Sequence, residues 1–175
     1  VLRRLGAVTV NLPASDIVPA LASGKIDGAE WVSPWWDMQL GLHEVCNYCY
    51  VPGIHEPGHT TELIVNPKVW ERLSPLHQEI MRAAGWQECA DMLAQFNHEN
   101  ARSLQTLRQF KSVEMLRLPN DVTRAFRQIT PQVLREAVQG DALAQEIHRS
   151  YTAYLQNQLR WAEVADRAYW QARYA

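Results

Sequence analysis

The sequence predicts an α/β domain whose second half consists of long helices. Two observations carry this prediction. Up to about residue 65, short apolar and β-branched runs alternate with helical segments, and beyond that point apolar residues recur at helical spacing. The chain has 175 residues and is 47% hydrophobic, which is enough for one domain with its own core.

The first third is expected to alternate strands with helices. Four apolar runs predict strands, at Ala7 to Leu12, Gly28 to Val32, Val45 to Val51 and Thr60 to Val65. Two helices are expected between them, from Ser15 to Ala22 with Gly24 as terminator, and from Pro34 to about His43.

The remainder predicts three helices and one short strand. A stripe of apolar residues from Leu76 to Leu107 predicts one long amphipathic helix. A strand at Val113 to Leu118 and a helix from about Asn120 to Val138 follow. The last helix starts at Gly140-Asp141, and about 30 residues at 1.5 Å each make it roughly 45 Å long. Such a helix is too long for one small domain to cover, so its far end is expected to pack on another domain or subunit.

Composition excludes several classes of protein. The formal net charge is −2, with 17 basic and 19 acidic residues, and the absence of a like-charge run argues against nucleic-acid binding. No stretch approaches the roughly 20 apolar residues that cross a bilayer. The chain begins at Val1, and its first residues resemble the end of a helix that Gly6 terminates, so we expect a fragment of a longer protein.

The three cysteines include a C-x-x-C pair, Cys46 and Cys49, together with Cys89. A redox or metal site would place both thiols at a turn or a helix start. The pair instead falls on a predicted strand, where residues three apart point to opposite faces. We therefore expect the cysteines to be small buried apolar residues.

The segment from His55 to His59 matches the zinc-hydrolase pattern H-E-x-x-H letter for letter. That pattern needs a helix to bring both histidines to one face. Pro57 and Gly58 disfavour a helix there by about 4 kcal/mol, which leaves His55 and Glu56 on a loop that could contact a ligand or only face solvent.

A second segment, from Gly28 to Asp37, joins a predicted strand to a helix and carries Glu30, Trp31 and Trp35. Ligands of open α/β sheets bind at the carboxyl ends of strands, near helix N-termini. A carboxylate suits an anionic ligand only if a cation such as Na⁺ or Ca²⁺ bridges the two. The alternative is that Glu30 caps or pairs locally.

The chain resembles the solute-binding proteins of tripartite ATP-independent periplasmic (TRAP) transporters over its whole length, and within them the subgroup that binds α-keto acids and monocarboxylates such as lactate. The segments that carry the resemblance are Leu2 to Ala7, Asn11 to Ala14, Pro19 to Val32, Tyr48 to Gly53, His55 to Gly58, Asn66 and Trp161 to Tyr169.

The resemblance implies a two-lobe, type II-like binding-protein fold. It also implies a periplasmic protein that is not an enzyme and that delivers a keto or hydroxy acid to a membrane permease. It implies three regions: residues 1–59 in the second lobe, residues 60–118 crossing towards the first lobe and back, and residues 119–175 forming C-terminal helices that brace the lobes and dimerise.

The resemblance also assigns site residues. It makes Glu30, Trp31 through its backbone carbonyl, and Glu56 the ligands of a bridging Na⁺ or Ca²⁺, and it places the Trp31 ring against the substrate. From their positions in the two segments, Trp35 and His55 are expected to contact the substrate together with Glu30, Trp31 and Glu56. The arginine that anchors the substrate in the family lies upstream of the matched region. Two other interpretations remain open from the residues alone, a metal-dependent hydrolase built on His55 to His59 and a purely structural oligomerisation module.

Overall fold

The computed structural model describes residues 1–53 and 62–174, and it divides the chain into two compact units. One unit is Val10–Asn120, and the other consists of Val1–Thr9 and Asp121–Ala175. The division into three regions that the family resemblance implies stays a prediction.

The first unit is mostly helical. Its helices are α1 (Ala14–Ala22), α2 (Pro34–Leu40), α3 (Leu42–Val45), α4 (Pro67–Trp70) and α5 (Pro75–Leu107). Proline occupies the start of α2, α4 and α5, where its missing N–H costs nothing. The side chains of Asn66 and Ser74 cap α4 and α5 by accepting backbone N–H groups. The helix predicted from Pro34 to His43 is divided at Gly41, which has φ 86°.

A two-stranded parallel sheet connects the middle of this unit to its end. Strand β1 (Tyr48–Val51) pairs with β2 (Glu114–Arg117), with Tyr48 opposite Glu114 and Val51 opposite Arg117. The connection between the strands contains α5, as parallel pairing requires a long crossover. Both strands were predicted from their apolar runs. The first was predicted from Val45, but Leu42–Val45 is helical and the strand begins at Tyr48, so Cys46 lies outside it.

The three other predicted strands were wrong where the structure describes them. Residues 7–12, 28–32 and 62–65 are irregular. Two of these runs are open to solvent, with Val8 94% and Ile64 86% exposed. A strand needs a neighbour for its backbone N–H and C=O groups, and no strand in the described ranges lies beside these runs.

The buried core of this unit is small, and helices α2 and α5 form much of its packing. The buried apolar residues of the described chain are Ile17, Ala20 and Leu107. Helix α5 has 33 residues, which confirms the predicted long helix. Much of its apolar stripe is nevertheless exposed, including Leu76, Ile80, Trp86 and Leu93.

The second unit contains a short 3-10 helix and three α-helices. The 3-10 helix, Leu2–Leu5, ends at Gly6 with φ 92°, as predicted. Helices α6 (Asn120–Ala137), α7 (Ala142–Val164) and α8 (Asp166–Tyr174) follow. Arg4 forms a bidentate, solvent-exposed ion pair with Glu136, and exposed pairs of this kind add little to stability because water screens them.

The single last helix predicted from the sequence is two helices in the structure. Helix α7 ends at Val164, and Ala165 has φ −111° and ψ −112°, which lies outside the helical region. Neither glycine nor proline marks this break in the sequence. In the described ranges, every helix is too short or too polar to cross a membrane.

Candidate functional site

Glu30 and Trp31 lie in the irregular segment that leads into α2. Glu30 is exposed, whereas Trp31 is half-buried and its indole Nε1 is shielded from solvent. Ser33, the last residue before the helix, is extended with φ −176° and ψ 166°. The segment therefore carries an exposed carboxylate and a half-buried tryptophan on successive residues just before a helix.

Asp37 brings a second carboxyl group to this helix N-terminus. Burial raises the pKa of Asp37 to about 6, and the negative charge of Glu30 adds to the rise, while hydrogen bonds from the backbone of Ser33 and Val32 oppose it. Glu30 and Asp37 are thus close enough for their charges to interact. A cation placed near them would relieve this repulsion.

Four buried polar atoms in this part of the unit have no hydrogen-bond partner in the structure. They are Trp31 Nε1, Ser33 Oγ, Asp37 Oδ1 and His43 Nδ1. Buried polar atoms are normally paired, because an unpaired one costs about 1–3 kcal/mol. Three of the four lie within the seven residues from Trp31 to Asp37, which is the pattern expected where a polar ligand completes the contacts.

Helix α5 holds the N-terminus of α2 in place. The backbone N–H of Trp35 donates to Asn100 Oδ1 at 3.0 Å, across 65 residues of sequence. The Trp35 ring packs edge-on against Phe96, with centroids 6.4 Å apart, and against Trp36 at 5.1 Å. The structure thus gives the Trp35 ring packing partners on α2 and α5, and its predicted contact with substrate stays a prediction.

The donors present fit one side of a site for a hard cation. The Glu30 carboxylate and the Trp31 backbone carbonyl are oxygen donors on successive residues, and Na⁺ and Ca²⁺ prefer oxygen. In residues 1–53 and 62–174, no group of three or more His, Cys, Asp or Glu side chains could hold a metal by itself. A cation here therefore needs further donors, and the predicted Glu56 and His55 lie outside the described residues.

The cysteines do not form a reactive pair. Cys46 and Cys49 are half-buried, and burial followed by the negative charge of Asp37 raises the pKa of both thiols. Raised thiol pKa values disfavour the thiolate that redox chemistry and metal binding require. Cys89 is exposed, so the expectation of three buried cysteines was wrong for this one.

Residues 1–141 match the family model of the bacterial extracellular solute-binding proteins, family 7 (DctP). The chain belongs to this family, which confirms the resemblance seen in its sequence. The family consists of solute-binding components of TRAP transporters, and this favours the binding interpretation over a metal-dependent hydrolase.

Relatives of known name and structure agree with this assignment. A monocarboxylate 2-oxoacid-binding periplasmic protein of Nostoc sp. is 31% identical over 169 residues, which are 97% of this chain and 46% of that protein. A TRAP solute-binding protein from Colwellia psychrerythraea was solved with calcium and pyruvate, and it superposes on this chain with a TM-score of 0.92. The two are 32% identical, and the match covers 98% of this chain and 52% of that protein.

Two further structures are nearly as similar. The protein from Pseudoalteromonas atlantica, solved with sodium and pyruvate, has a TM-score of 0.88 at 32% identity, over 97% of this chain and 52% of its own. The protein from Bordetella bronchiseptica was solved as a mixed-occupancy dimer with calcium and picolinate. It has a TM-score of 0.88 at 29% identity, and the match covers 99% of this chain and 51% of that protein. The chain thus spans about half the length of the relatives it matches.

Asp37, Ser33 and Asn100 were not among the site residues predicted from the sequence. For Asp37 and Ser33 a signal was present, because a serine followed by Pro34 and an acidic residue in the first turn is typical of a helix start. Asn100 gave no local signal, since its partner is the backbone of Trp35 on another helix.

The link between α5 and the site segment can be tested at Asn100. Replacing Asn100 by Ala leaves the Trp35 N–H without its acceptor and is expected to lower the free energy of unfolding by about 1 kcal/mol. Asn100→Asp keeps an acceptor oxygen and places a negative charge near a helix N-terminus, so it should retain the wild-type stability. Urea unfolding followed by tryptophan fluorescence measures both, and equal losses in the two variants would contradict this role.

Proposed function

We propose that this chain forms part of a periplasmic TRAP solute-binding protein that captures a small 2-oxo or 2-hydroxy monocarboxylate, such as pyruvate or lactate, and delivers it to a membrane permease. The observation that carries the proposal is the segment from Glu30 to Asp37, where oxygen donors adjoin buried polar atoms that lack partners. The ligands of the Colwellia and Pseudoalteromonas relatives support the choice of solute.

Binding would depend on a cation that lies between two sets of oxygens. The Glu30 carboxylate repels an anionic solute, and Na⁺ or Ca²⁺ converts this repulsion into attraction by contacting both. The Trp31 carbonyl provides a neutral oxygen to the same ion. Glu56, which follows β1 in the sequence, is proposed as a further cation ligand.

Aromatic rings would exclude water from the captured solute. The half-buried Trp31 ring lies beside the proposed cation position, and its shielded Nε1 can donate to a polar group of the solute. Trp35 and His55 are proposed as further contacts. Removing water strengthens the attraction between the cation and the carboxylate, because the local dielectric constant falls.

The remaining wall of the pocket is proposed to come from the other lobe of the family fold, which carries the substrate-anchoring arginine. The exposed runs at Val8 to Val10 and Leu63 to Ile64 support this, because they pair with no strand among the described residues and their backbone is suited to pairing with strands of the other lobe. Capture of the solute then belongs to the two-lobe protein, meaning this chain together with the other lobe.

The cation and solute dependence can be tested by thermal melting of the two-lobe protein with pyruvate, lactate and longer 2-oxo acids, each with and without Na⁺ or Ca²⁺. A solute at 100 times its Kd stabilises the folded state by about 2.7 kcal/mol. Glu30→Gln removes the charged oxygen without changing the shape of the side chain, so the cation-dependent part of the shift should disappear.

Glu44 provides a matched control on the neighbouring helix α3, where it is also exposed. Glu44→Gln should melt and respond to solute and cation as the wild type does. Two results would contradict the proposal: no stabilisation of the wild type by any of these acids, or a full cation-dependent shift retained in Glu30→Gln.

We also propose that the protein forms a homodimer through α7. Leu143, Ile147, Tyr151 and Tyr154 are each 59–66% exposed and share one side of this helix, where they line a shallow groove with Glu146 and Ser150. A second copy would bury the same side chains on its own α7, since a two-fold interface is self-complementary. The dimer of the Bordetella relative supports this choice of partner.

Ile147→Glu tests the dimer by placing a charge in the middle of this apolar face, and the variant is expected to sediment as a monomer in analytical ultracentrifugation. Thr152, which is exposed on the opposite side of α7, provides the control. Thr152→Glu adds the same charge and should leave the dimer intact. A monomeric wild type at micromolar concentration, or equal behaviour of the two variants, would refute an interface at this face.

A further inference from the structure

The start of α2 is capped from another helix rather than by its own N-cap residue. The first N–H groups of a helix have no acceptor within it, and the Trp35 N–H donates instead to Asn100 Oδ1 on α5, in a partly buried bond of 3.0 Å. Ser33 occupies the N-cap position, where serine usually accepts such a bond, but its hydroxyl makes no capping bond. Asn100 therefore supplies the side-chain cap that Ser33 does not provide.

This cap matters because α2 is short. It has seven residues, and isolated helices of fewer than about 12 residues are only marginally stable in water. The ring of Trp35 is also held by α5, since it packs edge-on against Phe96 with centroids 6.4 Å apart. The backbone and the ring of Trp35 thus both place the first turn of α2 relative to α5.

A stiff connector joins Trp35 to the site segment. The ring of Pro34 fixes its own φ angle, and a residue that precedes proline is restricted to extended backbone. Ser33 has φ −176° and ψ 166°, in agreement with this restriction. Between this connector and Trp31 the chain contains one residue, Val32. Anchoring Trp35 therefore limits the directions that the Trp31 backbone can take.

We propose that Asn100 is a positioning residue of the cation site, which orders the segment carrying Glu30 and Trp31 by holding the Trp35 N–H. This inference rests on the proposed function, because it takes the Glu30 carboxylate and the Trp31 carbonyl as cation ligands. It assigns Asn100 no contact with the ion or the solute. Without the bond the first turn of α2 opens more often, and cation binding then has to restore the order of the segment, which lowers affinity.

Two variants of Asn100 test the positioning role in the two-lobe protein, which is titrated with Ca²⁺ at saturating pyruvate by calorimetry. Amide hydrogen exchange of Trp35 is measured without cation. Asn100→Ala should raise the Kd for Ca²⁺ about 3- to 10-fold, the equivalent of one neutral hydrogen bond, and should speed Trp35 exchange. Asn100→Asp keeps an acceptor oxygen and adds a charge that favours a cation, so Trp35 should stay protected with a Kd no higher than that of the wild type.

Two controls separate positioning from a general loss of stability. Asn97→Ala removes an exposed amide from the same helix and should leave Ca²⁺ affinity and Trp35 exchange unchanged. Asp141→Ala removes the carboxylate that caps α7, whose oxygen accepts the Ala144 N–H at 2.9 Å. This variant should lower stability and also leave both measurements unchanged.

Pro34→Ala tests the connector, because it removes the ring that fixes φ. The variant should raise the Kd for Ca²⁺. In its background Asn100→Ala should raise the Kd by a smaller factor than in the wild type, since two changes along one path are not additive. Fully independent effects of the two changes would contradict transmission through the connector.

Wild-type Ca²⁺ affinity or wild-type Trp35 exchange in Asn100→Ala would overturn the proposal. It would also be overturned if Asp141→Ala lost as much Ca²⁺ affinity as Asn100→Ala, because stability alone would then explain the loss. A wild-type protein that binds pyruvate without Ca²⁺ or Na⁺ would instead refute the proposed cation site. The two failures are therefore distinguishable.

Discussion

The packing of α2 against α5 is the constraint on which the candidate site depends. The site segment has no strand neighbours in the described chain, so its position is fixed mainly by the helix that it enters. That helix is held by Asn100, which accepts the Trp35 N–H, and by the contact of Trp35 with Phe96. Because α5 also carries the chain from β1 to β2, one helix links the small sheet to the site.

The described site residues could contact a cation and a solute from one side only. Its oxygen donors and unpaired polar atoms are suited to a hard cation and a polar solute, yet the described residues do not enclose either. The exposed apolar stripe of α5 and the exposed apolar face of α7 also indicate missing partners. A small core leaves apolar surface for further partners to cover. A chain that spans about half the length of its relatives is expected to have these properties.

Local signals in the sequence predicted much of this architecture. Helical periodicity predicted α5, residues typical of helix ends predicted α1 and α6, and apolar runs predicted β1 and β2. The strand predicted at residues 7–12 failed because strand formation depends on a neighbour that no local pattern reveals. The break at Ala165 carries no glycine or proline signal. Within the site, the resemblance indicated Glu30 and Trp31, whereas the bond between Asn100 and Trp35 depends on tertiary packing that the sequence does not display.

The position of the cation itself is the most direct test of the proposed site. A crystal of the two-lobe protein grown with Ca²⁺ and pyruvate would locate the ion by its anomalous scattering. If Glu30 and Trp31 hold the ion, we expect a peak about 2.3–2.6 Å from both the Glu30 carboxylate and the Trp31 carbonyl oxygen, with the pyruvate carboxylate on its other side. Pyruvate bound without an ion, or an ion that contacts neither residue, would contradict it.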